Sequence, residues 1–112
     1  MNKQKSPEDA ALFVSKVSQK QGWVPNPDQE FRRKIEEGLA TNYNRYGYFL
    51  CPCRDGDGDR SADKDIICPC HYNIPDQQEY GHCYCGLFFS PDFIASGKSF
   101  ESIPERRPPE LQ

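Results

Sequence analysis

The chain has 112 residues, of which 36% are hydrophobic and 28% are charged, and its formal net charge is −3. This length is typical of one small domain, here residues 1–112, with a modest core. The first ten residues are polar and charged, which predicts neither a secretory signal nor a transmembrane span. We therefore expect a cytoplasmic protein that binds neither a membrane nor a nucleic acid.

A first helix is predicted near the start of the chain. Ser6 is followed by a proline and two acidic residues, which is typical of a helix N-cap and first turn. Apolar residues then recur on one face and Gly22 supplies a stop, so the helix runs to about Gln21. Residues 1–5 before it are expected to be flexible, and residues 23–25 after it form a short connector.

A second helix is predicted to open at residues 26–28, with the sequence Asn-Pro-Asp, and to end near Asn44. Its apolar positions repeat every four residues and are expected to form the packing face: Phe31, Ile35 and Leu39. The aromatic and apolar residues 46–50 then favour an extended segment that leads to the first cysteine, Cys51.

The stretch from Asp55 to Asp59 alternates acids with glycine and resembles the start of a calcium-binding loop. Arg60 stands where that loop needs glycine, however, and Ile66 stands where it needs a bidentate acid. We therefore reject a calcium site. The alternation of glycine and aspartate predicts a flexible polar loop instead.

Short elements are predicted in the remaining part of the chain. Residues 75–79 predict a single helical turn, and residues 87–89 predict a buried apolar segment. Residues 90–92, with the sequence Ser-Pro-Asp, are typical of another helix cap, whereas the proline-rich tail 104–112 is expected to be extended or flexible. The fold class predicted is mainly α, a small compact helical domain with short connecting loops.

The six cysteines form three pairs with one residue between the partners: Cys51 and Cys53, Cys68 and Cys70, Cys83 and Cys85. A [4Fe-4S] cluster would take four of the six thiolates and leave two that can form and break a disulfide. A cluster beside a dithiol suggests a protein that uses electrons to reduce a disulfide to thiols. The cysteine-bearing middle segment has few aliphatic residues, so we expect its fold to depend on the metal.

Two other uses of the cysteines remain open. Zinc also binds thiolates, but structural zinc sites usually place two or more residues between paired cysteines. A structural disulfide framework is unusual in the reducing compartment expected here. The sequence favours both less than it favours an iron-sulfur cluster.

The three cysteine pairs, with Arg54 after the first and the sequence Leu-Phe-Phe-Ser-Pro-Asp at residues 87–92 after the third, resemble the catalytic subunit of the ferredoxin:thioredoxin reductase family. The resemblance covers most of the chain and implies a compact, mainly helical domain wrapped around a [4Fe-4S] cluster. It assigns four cysteines as cluster ligands: Cys51, Cys68, Cys70 and Cys83. It assigns the other two, Cys53 and Cys85, as the active-site disulfide.

The resemblance also implies a function, a disulfide reductase that takes electrons from ferredoxin and passes them to thioredoxin or a similar protein disulfide. Cys53 would attack the partner's disulfide and is expected to be the more exposed sulfur, and Cys85 would resolve the mixed disulfide. Plant-type members of the family have a second, noncatalytic subunit. Docking of an acidic ferredoxin would need a basic patch, for which the candidates are Arg32, Arg33, Lys34, Arg106 and Arg107.

One position departs from the family pattern. The family has a histidine between the last two cysteines, where it can shuttle protons, and this chain has Tyr84 there. His71 and His82 each lie next to a proposed cluster ligand, so either is a candidate catalytic acid or base in its place. The simpler interpretation of both is a hydrogen bond to a cluster sulfur, and Tyr84 is a further candidate proton donor.

Two functions of other classes remain open beside the reductase. A one-electron carrier would use the cluster and leave the extra cysteines passive. A cluster-bearing redox sensor would change its affinity for a partner without turnover. The dithiol separates these functions, because a carrier does not need it.

Overall fold

The computed structural model of the protein describes residues 4–54 and 56–111. Five α-helices and one two-stranded antiparallel sheet are found within these residues. Their order along the chain is α1 (Pro7–Gln21), β1 (Val24–Pro25), α2 (Gln29–Tyr46), α3 (Arg60–Asp63), α4 (Asn73–Tyr80), β2 (Phe88–Phe89), α5 (Pro91–Ser96) and a 3₁₀ turn (Pro109–Leu111). The described part of the domain is therefore mainly helical, as predicted, with a small sheet that the sequence did not predict.

Helix α1 begins and ends where the sequence predicted. The Asp9 backbone N–H donates to the Ser6 hydroxyl, and the Ser6 backbone N–H donates to the Asp9 carboxylate at 2.9 Å, which makes a reciprocal capping box. Gly22 ends the helix with φ 75°, a left-handed conformation that glycine adopts at little cost. The predicted boundaries of this helix are confirmed.

Helix α2 is longer than predicted. Asp28 caps its start by accepting from the Phe31 backbone N–H, but the helix continues past Asn44 to Tyr46 and ends at Gly47, which has φ 88°. The predicted extended segment 46–50 is therefore wrong at its first residue. Leu50, the last residue of the segment, forms an antiparallel bridge with Ile67. The stop lies at the glycine because it tolerates the left-handed C-cap.

The predicted connector after α1 contains a strand. Val24 pairs with Phe89 and Pro25 pairs with Phe88 in an antiparallel ladder, and the Asn26 backbone N–H donates to the Leu87 carbonyl at 2.9 Å. The interpretation of residues 23–25 as a plain connector was therefore wrong. A two-residue strand is too short to show the alternation by which strands are predicted.

The loop after the first cysteine pair is tied down by a buried carboxylate. Asp63, at the end of the unpredicted helix α3, is 1% exposed and accepts from the Tyr48 hydroxyl at 2.6 Å. It also accepts from the backbone N–H groups of Asp57 and Gly58. A loop held in this way is not the free polar loop that the sequence predicted, and Asp55 lies outside the described residues. Helix α4 likewise spans Asn73–Tyr80 rather than the predicted single turn at residues 75–79.

The core lies between the helix pair α1–α2 and the cysteine-bearing segments. Its most deeply buried side chains come from both parts of the chain: Val14, Leu39, Leu50, Ile66, Leu87 and Phe88. Residues 87–89 are buried and α5 begins at Pro91 with Ser90 as its cap, as predicted. In the described ranges, no helix is both long and apolar enough to span a membrane.

Three consecutive charged residues near the C-terminus, Glu105–Arg107, form ion pairs with three different segments; we call them the C-terminal clamp. Glu105 pairs with Arg54 at 2.6 Å. Arg106 pairs with Asp76 at 2.7 Å and also with Glu79. Arg107 pairs with Asp65 at 2.9 Å. The sequence predicted an extended or flexible tail. Residues 1–3 and 112 lie outside the described residues. Flexibility of the rest of the ranges 1–5 and 104–112 stays a prediction, although these contacts hold the clamp against the domain.

Candidate functional site

Backbone hydrogen bonds bring the first two cysteine pairs side by side. The Cys51 backbone N–H donates to the Ile66 carbonyl at 2.9 Å, and the Cys68 backbone N–H donates to the Phe49 carbonyl at 2.7 Å. These bonds flank the bridge between Leu50 and Ile67. The segments that enter the two pairs are therefore joined like neighbouring strands.

The third cysteine pair sits in a tight turn before β2. The Cys83 backbone N–H donates to the Phe88 carbonyl, and the Gly86 backbone N–H donates to the Cys83 carbonyl at 2.9 Å. Gly86 has φ 73°, and the Asn26 side chain donates to its carbonyl at 2.8 Å. Because Asn26 directly follows β1, the sheet and this bond fix the third pair against the first part of the chain.

One cavity is lined by five of the cysteines. Its lining includes Cys51, Cys68, Cys70, Cys83 and Cys85, together with Pro52, Arg54, Asn73, Tyr84, Leu87 and Phe88. Cys53 is not part of this lining and is exposed, whereas Cys85 is 6% exposed. The expected difference in exposure between Cys53 and Cys85 is therefore present, while the roles assigned to the six cysteines stay predictions.

The thiols of Cys51, Cys53 and Cys85 affect one another's ionisation. The Sγ atoms of Cys51 and Cys85 lie 2.8 Å apart. The neighbouring Cys51 and Cys85 thiols lower the pKa of Cys53 to about 4. Interaction with Cys53 raises the pKa of Cys51 to about 11. Interaction with Cys51, followed by interaction with Cys53 and by burial, raises the pKa of Cys85. Of these three thiols, Cys53 is thus the one favoured as a thiolate, the nucleophilic form, at neutral pH.

Two further buried cysteines, Cys70 and Cys83, have polar surroundings suited to a thiolate. Burial raises the pKa of the Cys83 thiol to about 12, but its sulfur accepts the backbone N–H groups of Leu87 and Phe88 at 3.3 and 3.4 Å. The Cys70 sulfur accepts from the Arg54 guanidinium at 3.3 Å. Donors of this kind stabilise negative charge on sulfur and are common around metal-bound thiolates.

Arg54 and Glu105 belong to the site although sequence reasoning gave neither of them a role. The Arg54 side chain is 3% exposed, and its Nε and Nη2 groups donate to the two carboxylate oxygens of Glu105, each at 2.6 Å. Its guanidinium also lies 4.6 Å from the centroid of the Tyr84 ring. The position of Arg54 directly after a cysteine pair was the available signal, but nothing in the sequence links it to Glu105.

The comparisons with known proteins agree with this geometry. A model of the family described as ferredoxin thioredoxin reductase catalytic beta chain matches residues 1–106. The chain belongs to this family. In this member of the ferredoxin-thioredoxin reductase catalytic family, five cysteines line one cavity and Cys53 is exposed.

Curated relatives carry the same description. The chloroplastic ferredoxin-thioredoxin reductase catalytic chain of Arabidopsis thaliana is 33% identical over 98 residues, which cover 85% of this chain and 64% of that protein. The corresponding protein of Zea mays is 32% identical over 90% of this chain and 68% of its own length. The catalytic chain of Porphyra purpurea is 37% identical over 58% of this chain and 53% of that protein. The chain therefore spans between about half and two thirds of the length of these relatives.

The donor set of the cavity fits the cluster implied by the ferredoxin-thioredoxin reductase family. Five thiols line it, and the sulfurs of Cys51, Cys70 and Cys83 receive N–H donors from the protein. Within residues 4–54 and 56–111, no group of three or more histidine, cysteine, aspartate or glutamate side chains is arranged around a single-ion position. The fit therefore rests on the chemistry of the donors.

The two histidines lie apart from this cavity. His82 is 2% exposed, its Nδ1 atom is 2.9 Å from the Cys83 carbonyl oxygen, and its ring packs against those of Phe89, Phe93 and Phe100. His71 is exposed, and neither histidine lines the cysteine cavity. A catalytic role for either stays a prediction, whereas Tyr84, between the last two cysteines, lines the cavity.

The candidate basic patch for ferredoxin is largely neutralised by neighbouring acids. Arg33 pairs with Glu8 at 2.9 Å, and Arg32 contacts Glu36 at 3.6 Å. Arg106 and Arg107 are engaged in the C-terminal clamp, and Arg107 is 4% exposed. Lys34 is exposed. These five residues therefore do not form the free basic surface that the sequence analysis expected.

Gly38 in the middle of α2 makes room for the first cysteine pair. A Cβ atom at this position would lie 2.9 Å from the Cβ of Pro52, a contact too short for two such atoms. Alanine stabilises an exposed helix by about 1 kcal/mol relative to glycine. We expect Gly38→Ala to destabilise the protein instead, by ~1 kcal/mol net, because overpacking against a rigid proline costs about 1–3 kcal/mol.

Urea unfolding of the anaerobic protein tests this prediction. The control is Thr41→Ala, an exposed position one turn further along the same helix, which should leave the midpoint unchanged or raise it slightly. A higher midpoint for Gly38→Ala than for the parent protein would show that α2 and Pro52 separate without cost.

Proposed function

We propose that this chain is the catalytic chain of a ferredoxin-dependent disulfide reductase. The observation that carries the proposal is the division of the cysteines: five line one buried cavity, and Cys53 is exposed beside it. This division matches what a disulfide reductase needs, a protected redox centre next to an accessible nucleophile. Family membership supports the same reaction, because the matched relatives are named ferredoxin-thioredoxin reductase catalytic chains.

Four cysteines would hold a [4Fe-4S] cluster: Cys51, Cys68, Cys70 and Cys83. When bound, the cluster supplies one-electron chemistry that connects a single-electron donor with a disulfide, which needs two electrons. The residues around the cavity would orient and shield these thiolates. The bonds from Leu87 and Phe88 to Cys83, and from Arg54 to Cys70, would hold negative charge on the two sulfurs.

Cys53 and Cys85 would carry the thiol chemistry. The Cys53 thiolate attacks one sulfur of the partner's disulfide, which forms a bond from Cys53 to the partner and releases the partner's other sulfur as a thiolate. The Cys85 thiolate then attacks the Cys53 sulfur, which forms the Cys53–Cys85 disulfide and releases the partner as a dithiol. Two electrons and two protons restore both thiols for the next cycle. Cys85 is only 6% exposed, which limits its direct reaction with a partner protein.

The partners follow from the reaction proposed. Ferredoxin would supply electrons, and thioredoxin or a similar protein with an accessible disulfide would receive them. The relatives are named catalytic chains, which supports assembly with a second, noncatalytic subunit. The Arabidopsis and maize proteins are named chloroplastic, and the cytoplasmic location expected for this chain stays a prediction.

Metal and thiol analysis of anaerobically purified protein tests the proposal. We expect about four irons and four sulfides per chain, with two thiols that react with an alkylating agent only after reduction. Reduced ferredoxin should then produce free thiols on thioredoxin in the presence of this protein. Zinc without sulfide would contradict the proposal, and so would an iron-sulfur protein that accepts electrons from ferredoxin but never reduces a disulfide. The latter result would instead identify an electron carrier or a redox sensor.

A further inference from the structure

The guanidinium of Arg54 makes contact with two of the proposed ligand sulfurs. Its Nη1 group lies 3.3 Å from the Cys70 sulfur and 3.6 Å from the Cys51 sulfur. These sulfurs come from different cysteine pairs, so a single side chain bridges the first pair and the second. A buried positive charge at this position acts strongly on its neighbours, because little water is present to screen it.

The same guanidinium is held on its remaining sides. Its other donors make two parallel bonds to the Glu105 carboxylate, a planar fork that a lysine could not form. Its central carbon lies 4.6 Å from the ring centroid of Tyr84 and 5.3 Å from that of Tyr72. The Tyr72 hydroxyl donates to Asp65 at 2.6 Å, which fixes that ring in turn. Arg54 therefore has very little freedom to leave the sulfurs.

We propose that Arg54 is a positioning residue that raises the reduction potential of the redox centre. It places a fixed positive charge and an N–H donor against the sulfurs of Cys51 and Cys70. Glu105 holds the guanidinium there and partly offsets its charge. The inference rests on the proposed function, because it requires these sulfurs to ligate the cluster. Reduction adds negative charge to a cluster and its ligands. A nearby cation and hydrogen bonds to the sulfurs stabilise that reduced state.

Tyr84 acquires a role in the same arrangement. It occupies the position between the last two cysteines, and its ring lies over the Arg54 guanidinium. The aromatic ring supplies a cation–π contact to the guanidinium. Tyr84 therefore helps to hold the Arg54 guanidinium beside the sulfurs.

A purely structural role for this ion pair makes a different prediction. Removing either member of a buried pair destabilises a protein by leaving the other charge without a partner. A structural pair would therefore lower stability in both single variants, without shifting the potential in a direction set by charge. An electrostatic role shifts the potential in opposite directions, because the two residues carry opposite charges.

The experiment measures the midpoint potential of the purified, cluster-bearing protein by redox titration followed by electron paramagnetic resonance and absorption. Arg54→Gln should make the potential more negative. At a fixed solution potential, the ratio of reduced to oxidised protein should therefore fall about tenfold. Glu105→Gln should make it less negative, because Tyr72 and Tyr84 still hold the uncompensated guanidinium. The double variant should have a potential between those of the two single variants and recover the stability that Glu105→Gln loses.

Two controls carry the same charge changes at exposed positions. Arg45→Gln and Glu101→Gln alter residues that do not line the cysteine cavity, and both should leave the potential unchanged. If Arg54→Gln loses its iron, the test rests on the midpoint potential of Glu105→Gln. A Glu105→Gln potential equal to that of the parent protein then overturns the inference. Unchanged potentials in iron-replete variants of both residues overturn it and leave the proposed function intact. Absence of iron and sulfide from the parent protein overturns both.

Discussion

Replacing Cys53 by serine is expected to abolish disulfide reduction, with a loss of turnover on the order of 10³-fold or more. Cys53 is the exposed cysteine beside the cavity and the one whose thiolate form is favoured, with a pKa of about 4. A serine hydroxyl at this position cannot attack a disulfide at neutral pH. The measurement is ferredoxin-driven reduction of thioredoxin, with iron analysed in the same samples, and the iron content should equal that of the parent protein.

Cys85→Ser is the matched variant, because it removes the other proposed redox thiol and leaves Cys53 in place. It should form a mixed disulfide with thioredoxin that persists on a non-reducing gel, since no second thiol remains to resolve it. A Cys53→Ser protein that still turns over at the parent rate would disprove the assignment of the nucleophile. Loss of iron from Cys53→Ser would instead show that Cys53 is a ligand.

Removing iron is expected to unfold the cysteine-bearing half of the protein while α1 and α2 stay helical. This half contributes short elements, the four-residue α3, the eight-residue α4 and the two-residue β2, and none of them is long enough to be stable alone. Binding of a metal centre to such a segment contributes folding free energy directly. Hydrogen exchange followed by mass spectrometry should show amide exchange in residues 60–90 accelerated by about 100-fold or more after chelation.

Peptides from α1 and α2 provide the internal reference, because these helices pack on each other and carry their own caps. Their exchange should change far less than that of residues 60–90. Addition of iron and sulfide should restore the protection. Equal exchange in residues 60–90 before and after chelation would mean that the buried side chains hold this half without the metal.

The parts of the fold that follow from local rules could be predicted from the sequence. Ser6 and Gly22 bound α1 because a cap depends on residues within one helical turn. Ser90 capped α5 for the same reason. The exposure of Cys53 was also expected, but from a family resemblance, because the sequence pattern alone does not say which member of a pair faces solvent.

The features that were missed depend on distant partners. Val24 and Pro25 become a strand because Phe88 and Phe89 lie beside them, and no local pattern reports this. Asp63 looks like an ordinary loop acid until the fold places the Tyr48 hydroxyl against it. The contact between Arg54 and Glu105 joins residues 51 positions apart. Such contacts are set by tertiary packing, which composition and periodicity do not record.

The bond from the Asn26 side chain to the Gly86 carbonyl joins residues 60 positions apart and carries a kinetic consequence. Closing a loop of this length costs chain entropy before any stabilising contact forms. Docking of the third cysteine pair is therefore expected to be slow compared with the packing of α1 against α2. During that interval the thiols are not yet enclosed by the protein. The time available to oxidants during synthesis is therefore set by chain topology, and an oxygen-free, iron-replete host should improve the yield of correctly assembled protein.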